Sequence, residues 1–161
     1  MARIAKIGVS GERPHEANAW QRVEYTLSTE RGRLDLDVIH AFLTESYWAK
    51  GRSRERVARS IENSLPFAIY RDEELVAFAR VVTDEVVIAW VCDVFVLPAH
   101  RGRGLGKWLM QAMLAAPELH NVRRFMLGTR DAHGLYRRFG FAEPRPSVLM
   151  ERLELESDAG P

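Results

Sequence analysis

Between positions 94 and 107 the chain reads Val94-Phe95-Val96-Leu97-Pro98-Ala99-His100-Arg101-Gly102-Arg103-Gly104-Leu105-Gly106-Lys107. Glycines let a backbone approach a ligand closely, and a helix start offers unpaired N–H groups to an anion. Leu105, Leu109, Ala112 and Ala116 recur at helical spacing, so a helix starts where the glycines end. Arg101, Arg103 and Lys107 add positive charge at that turn. The chemistry suggested is the cradling of a diphosphate. A second chemical candidate lies just upstream. Asp93 is a carboxylate in the otherwise apolar run Val91–Leu97, an expensive place for a charge unless it is used.

Spacing separates the known cradles. A nucleotide-hydrolase loop requires G-x-x-x-x-G-K-[ST], but Trp108 follows Gly106-Lys107 and Arg101 stands where its first glycine belongs. A dinucleotide fingerprint requires G-x-G-x-x-G, and Lys107 occupies its last glycine position. The pattern [QR]-x-x-G-x-[GA] is met by Arg101 through Gly106. Here the chain resembles the acetyl-CoA loop of the GCN5-related N-acetyltransferases, the GNAT family. A second stretch, Leu127 through Phe141, is similar to that family's motif N-x-x-A-x-x-L-Y-x-x-x-G-F, with Ala132, Leu135, Tyr136, Gly140 and Phe141 at matching positions. Thr129 departs from it, standing where many members carry asparagine. The resemblance covers roughly residues 23–153.

The resemblance implies an acetyl-CoA-dependent N-acetyltransferase that moves an acetyl group to a primary amine, by direct attack in a ternary complex. It implies a splayed strand at Val94, Phe95 and Val96 whose backbone N–H groups hold the acetyl carbonyl and pantetheine. It further implies a pyrophosphate site over Arg101, Gly102, Arg103, Gly104, Leu105, Gly106 and Lys107, and a hydroxyl from Thr129 near the pantetheine arm. Tyr136 is then placed to protonate the departing sulfur, its alternative being an aromatic packed under the second motif. Asp93 is the candidate to deprotonate or orient the amine. Its alternative is a carboxylate at the strand's solvated face or paired with an arginine, with water taking the proton. Val94 and Val96 would point to the face opposite Asp93. Acetyl-CoA is the cosubstrate and no metal is implied. A small-molecule amine is the expected acceptor. Acetylation of a protein or peptide, and a non-catalytic acyl-CoA-binding regulatory module, remain alternatives.

The elements that must position these residues follow from periodicity and turn chemistry. Val23, Tyr25 and Leu27 alternate as a strand ending near Ser28. Asp35 or Asp37 caps a helix bearing Ile39, Phe42, Leu43 and Tyr47, and Ser53 caps another bearing Val57, Ile61 and Leu65 up to Pro66. Phe67–Tyr70, Leu75–Thr83 and Val86–Leu97 read as an antiparallel meander. Leu105–Ala116 is a helix stopped by Pro117, Arg124–Gly128 a buried strand and Ala132–Phe139 a short helix. Phe141-Ala142 and Ser147–Leu153 read as closing strands. The expected class is α/β or α+β, a mixed and mostly antiparallel sheet flanked by helices. Residues 1–20 form a loosely held extension, 21–155 the domain and 156–161 a frayed tail.

Composition narrows the partners. The chain has 161 residues, 47% hydrophobic and 28% charged, with a net charge of +1. That describes a globular domain and gives no general argument for a nucleic-acid or membrane partner. Cys92 is a lone cysteine, so neither a disulfide framework nor a cysteine metal site is expected. The start Met-Ala-Arg-Ile-Ala-Lys lacks a signal-peptide core, which makes the cytoplasm the default. A homodimer stays open. Tyr47, Trp48 and Trp90 are expected mainly in the core, with the acceptor cleft that the resemblance implies as the alternative. His40 and His133 are expected as structural or solvent-facing, and Arg52, Arg54, Arg56 and Arg59 as a solvated basic face, with an acidic acceptor or partner as the alternative.

Overall fold

The computed structural model describes residues 19–22, 24–146 and 148–152. Six strands form one sheet in sequential order: β1 (Ala19–Arg22), β2 (Tyr25–Ser28), β3 (Leu65–Arg71), β4 (Glu74–Thr83), β5 (Ile88–Val96) and β6 (Arg124–Leu127). All neighbours are antiparallel except β5 and β6, which are parallel. Between β2 and β3 lie α1 (Leu36–Glu45) and α2 (Arg54–Glu62); α3 (Leu105–Ala115) makes the β5–β6 crossover, and α4 (His133–Arg137) follows β6. No helix among the described residues is long and apolar enough to cross a membrane.

Helices cover both faces of the sheet, so its central strands are apolar on both sides. β3 is buried from Leu65 to Tyr70. Phe67 and Ile69 pack with Leu109 and Met113 of α3, while Ala68 and Tyr70 pack with Ile39, Leu43 and Val57 of α1 and α2. The caps act as their residue types require. Asp35 accepts from the N–H groups of Asp37 and Val38, and Ser53 accepts from that of Arg56.

Several expectations need correction. The strand ending at Ser28 is joined by an earlier one: Ala19 and Trp20, placed in the extension, belong to β1, which turns into β2 with Glu24 at φ 68°. The rest of residues 1–18 and the tail 156–161 lie outside the described residues. Leu65 begins β3 instead of ending α2. Pro66 is tolerated there because it pairs only with Arg80, while β2 reaches no further than Ala68. Tyr47 lies beyond the end of α1. The closing strands are absent among the described residues. Pro144 and Pro146 lack the N–H groups a ladder needs, and Val148, Leu149 and Met150 stand exposed.

Candidate active site

The parallel pairing of β5 and β6 starts at Ile88–Arg124 and stops at Val91–Leu127. β6 ends there, while β5 continues through Cys92–Val96 with no strand partner on that side among the described residues. The Leu97 N–H donates to the Val76 carbonyl on β4. Alternation along a strand therefore directs the backbone groups of Val94 and Val96 the other way, into the gap. The Val96 carbonyl confirms this direction by accepting from Arg101 Nε at 3.1 Å.

A β-bulge opens this end of the strand. Phe78 pairs with Phe95 and Arg80 with Cys92, so Ala79 alone faces Asp93 and Val94. Asp93 takes a φ of 52°, uncommon for a residue with a Cβ. The extra residue switches the faces. Ala89 and Val91 lie on the α3 side, but after the bulge it is Val94 and Val96 that pack there, and Phe95 turns to the α1–α2 side. Phe95 contributes its ring, stacked on Phe42 with centroids 4.1 Å apart, and its amide points toward β4.

Asp93 is aimed by the bulge at a cluster of donors. Arg80 Nε lies 2.6 Å from one oxygen, Arg52 Nη1 3.1 Å from both, and Trp48 Nε1 3.2 Å away. The Asp93 side chain is 2% exposed, that of Arg80 10% and that of Arg52 25%. Val94 and Val96 do lie on the opposite face. Arg52 leaves the solvated face on which it was expected because its backbone is held inward: His40 Nε2 bonds the Arg52 carbonyl at 3.1 Å. Arg54 does stay at the surface, paired with Asp37.

Opposite this cluster, Tyr136 lines the same cavity of about 400 Å³, together with Trp48, Trp90, Cys92, Asp93, Thr129 and Asp131. Its phenol is pushed up to about 12, chiefly by burial and further by the neighbouring Tyr47 and Asp131. It therefore keeps its proton at neutral pH. Burial also raises the Cys92 thiol. Thr129 Oγ1 accepts from the Ala132 N–H at 3.0 Å, closing the turn before α4 and leaving its own proton to donate. Tyr47 straps the two sides together. Its hydroxyl donates to Asp131 at 3.2 Å and accepts from the Arg130 N–H at 3.0 Å, while the Arg130 guanidinium lies over its ring. A second cavity beyond this strap is lined by Phe42, Trp48, Val94, Phe95, Val96 and Arg101. Tyr47 and Trp48, expected mainly as core, are thus half-exposed wall residues.

The glycine turn follows β5 directly. Gly102 and Gly104 have φ of 77° and 76°, and a Cβ on either would meet nothing within 4 Å. Gly104 is the N-cap of α3 and has no side chain to satisfy the first helical N–H groups, which stay available to a ligand. Gly106 faces α4, where a Cβ would lie 3.7 Å from Leu135. The loop is anchored from β2: Tyr25 Oη and His100 Nδ1 lie 3.1 Å apart with their rings edge to face. Arg103 comes within 4.0 Å of Glu24, and Lys107 is exposed beside it. Among the described residues no group of His, Cys, Asp and Glu is arranged to hold a metal.

Arg52 and Arg80 were not singled out as site residues. Arg80 did leave a trace: it is a lone cation in the apolar run of β4, the counterpart of Asp93 in β5.

Comparison with known proteins fits this geometry. The acetyltransferase (GNAT) family model matches residues 33–141. A crystal structure of a GNAT-family acetyltransferase from Xanthomonas campestris pv. campestris is 48% identical, covers 81% of this chain and 93% of its own, and superposes with a TM-score of 0.78. An acetyltransferase from Gibberella zeae is 27% identical across 88% of this chain and 93% of its own length. A Clostridium acetobutylicum acetyltransferase, solved with acetyl-CoA, shares the fold at a TM-score of 0.58 and 11% identity, covering 84% of this chain and 96% of its own. Loop, strand gap and relatives agree: the chain belongs to the GNAT family of N-acetyltransferases.

Proposed function

We propose that the protein transfers the acetyl group of acetyl-CoA to the primary amine of a small molecule, by direct attack with both substrates bound. The observation that carries this reading is the gap after Val91–Leu127, into which Val94 and Val96 direct their backbone N–H groups beside a buried, protonated Tyr136. The residues present suit acetyl-CoA. The open glycines and the unfilled N-terminus of α3 suit a pyrophosphate, with Arg101, Arg103 and Lys107 supplying charge. Thr129 has a proton to offer the pantetheine arm. A cavity of about 400 Å³ suits a small acceptor better than a protein surface. A cytoplasmic location belongs to the same proposal.

In this reading Val94 and Val96 N–H groups hold and polarise the thioester carbonyl. The amine nitrogen forms the new C–N bond, and the C–S bond breaks with its electron pair going to sulfur. Tyr136 gives that sulfur its proton and regains one, through water, from the attacking nitrogen, which is cationic after addition and loses that proton as the neutral amide forms. Asp93 gives about four lone-pair positions to Arg80, Arg52 and Trp48, so it has little left for an incoming proton. Its part is to orient the acceptor wall, and water takes the proton that the amine sheds before attack.

Thiol release from acetyl-CoA across a panel of small amines, with mass detection of the N-acetyl product, tests the proposal. Turnover of at least one small amine is expected. Tight acetyl-CoA binding with turnover only of peptides would move the acceptor to proteins, and binding without any turnover would favour the regulatory module.

A further inference from the structure

The acceptor cavity holds two guanidinium groups and one buried carboxylate. Arg80 and Arg52 both pair with Asp93, and among the described residues neither has another partner. On the inner wall two guanidiniums thus share one carboxylate, while the exposed Asp131 and Glu151 place negative charge at the mouth. Arg80 is 10% exposed and Arg52 25%, so bulk water compensates the second guanidinium only in part. A buried unpaired charge is costly, and a ligand that completes it is favoured.

Geometry makes Arg52 the receiving group. Asp93 engages only its Nη1, and His40 fixes its backbone carbonyl, so the guanidinium is held in place from two sides. Its Nη2 and Nε remain unpartnered among the described residues, and the residue lines the cavity. The Nε–Nη2 edge of a guanidinium matches a carboxylate with two parallel hydrogen bonds. Two groups of opposite sign, Asp131 and Glu151, line the same cavity, and both are exposed. Asp131 already accepts from Tyr47. They suit an ammonium arriving at the mouth, while the inner wall suits an anion.

We propose that the acceptor is an amine that also carries a carboxylate, an amino acid, and that Arg52 binds that carboxylate. This rests on the acetyl-transfer reading above and adds the substrate class. Trp48 and Trp90, on the same cavity, give the side chain of such an acceptor an apolar wall. Asp93 is then a positioning residue, which holds the Arg52 fork toward the acceptor.

The test uses the full chain with acetyl-CoA and matched acceptors: a set of free amino acids, each beside its decarboxylated amine and its carboxamide. The expected kcat/KM for the best acid exceeds that of its decarboxylated partner by on the order of 10²-fold, since a site built for a charged partner discriminates strongly against its absence. In Arg52→Gln that ratio collapses toward one, carried mostly by KM for the acid, and Arg52→Lys restores part of it. If Arg52→Gln does not fold, the wild-type ratio and Arg52→Lys carry the test. Amines or amides used as well as the acids would overturn the inference and leave acetyl transfer standing. Equal ratios in wild type and both variants would overturn the role of Arg52. No thiol release from either series, with acetyl-CoA bound tightly by calorimetry, would overturn the inference together with the catalytic reading.

Discussion

Arg80 on β4 and Asp93 at the bulge of β5 meet at 2.6 Å, at the point where one residue of β4 faces two of β5. The ion pair and the bulge support each other. The positive φ turns the Asp93 carboxylate to the α1–α2 face, and Arg80 waits there on the neighbouring strand.

Removing one partner should therefore cost far more than removing both. Asp93→Asn leaves two guanidiniums uncompensated and should destabilise the fold by about 3–5 kcal/mol in urea denaturation. Replacing both Asp93 and Arg80 by apolar residues of similar size should cost clearly less than the sum of the single changes. Additive costs would mean that the pair is not coupled.

The cradle residues were legible because their chemistry is local. Glycine spacing, flanking arginines and an apolar strand are all read within one short stretch, and the structure sets Gly102, Gly104 and the start of α3 where that stretch implied. The acceptor wall was not legible. Arg52, Arg80, Trp48 and Asp93 come from three separate segments, and only the bulge brings them together. A bulge shifts strand parity by one, which no alternation pattern reveals. The closing strands failed for a simpler reason. The apolar run Val148-Leu149-Met150 reads as a strand, but pairing also needs donors, and the preceding prolines withhold them.

At Gly104 a side chain is opposed by backbone geometry and not by crowding. Gly104→Val should cost about 1–2 kcal/mol for a β-branched residue forced to positive φ. It should also abolish acetyl-CoA binding by calorimetry, because the branched side chain stands over the helical N–H groups. Gly134→Ala on α4, where an added Cβ also meets nothing and φ is not positive, is the control and should bind normally. Loss of binding in both variants would assign the effect to general disturbance.

Tyr136→Phe keeps the ring that packs against Phe141 and removes only the proton. The expected result is a fall in kcat on the order of 10²-fold with little change in acetyl-CoA KM. Because burial raises Tyr136 to about 12 from 10.0, its titration should impose no loss of rate below pH 10. The same shift, shared by Tyr70, favours the neutral phenols in the folded state. Their contribution to stability is whole below pH 10 and is lost as pH rises toward 12. Stability against urea measured through that window should fall, and less so in Tyr136→Phe. A flat profile would contradict the burial of these hydroxyls.

Tyr25→Phe should loosen the cradle without touching the reacting atoms. Its hydroxyl is the contact that ties His100 to β2. We expect acetyl-CoA KM to rise several-fold, at about 1 kcal/mol for a lost neutral hydrogen bond, with kcat nearly unchanged. A fall in kcat alone would place Tyr25 elsewhere in the mechanism.

The central claim is that the gap between β5 and β6 receives the thioester, with the amides of Val94 and Val96 facing it. Residue-resolved hydrogen exchange, with and without acetyl-CoA, measures those amides directly. Protection should increase at Val94, Val96 and the Gly102–Lys107 turn, while Phe95, already directed toward β4, changes little. Bound acetyl-CoA that leaves Val94 and Val96 exchanging as in the free protein would contradict the account.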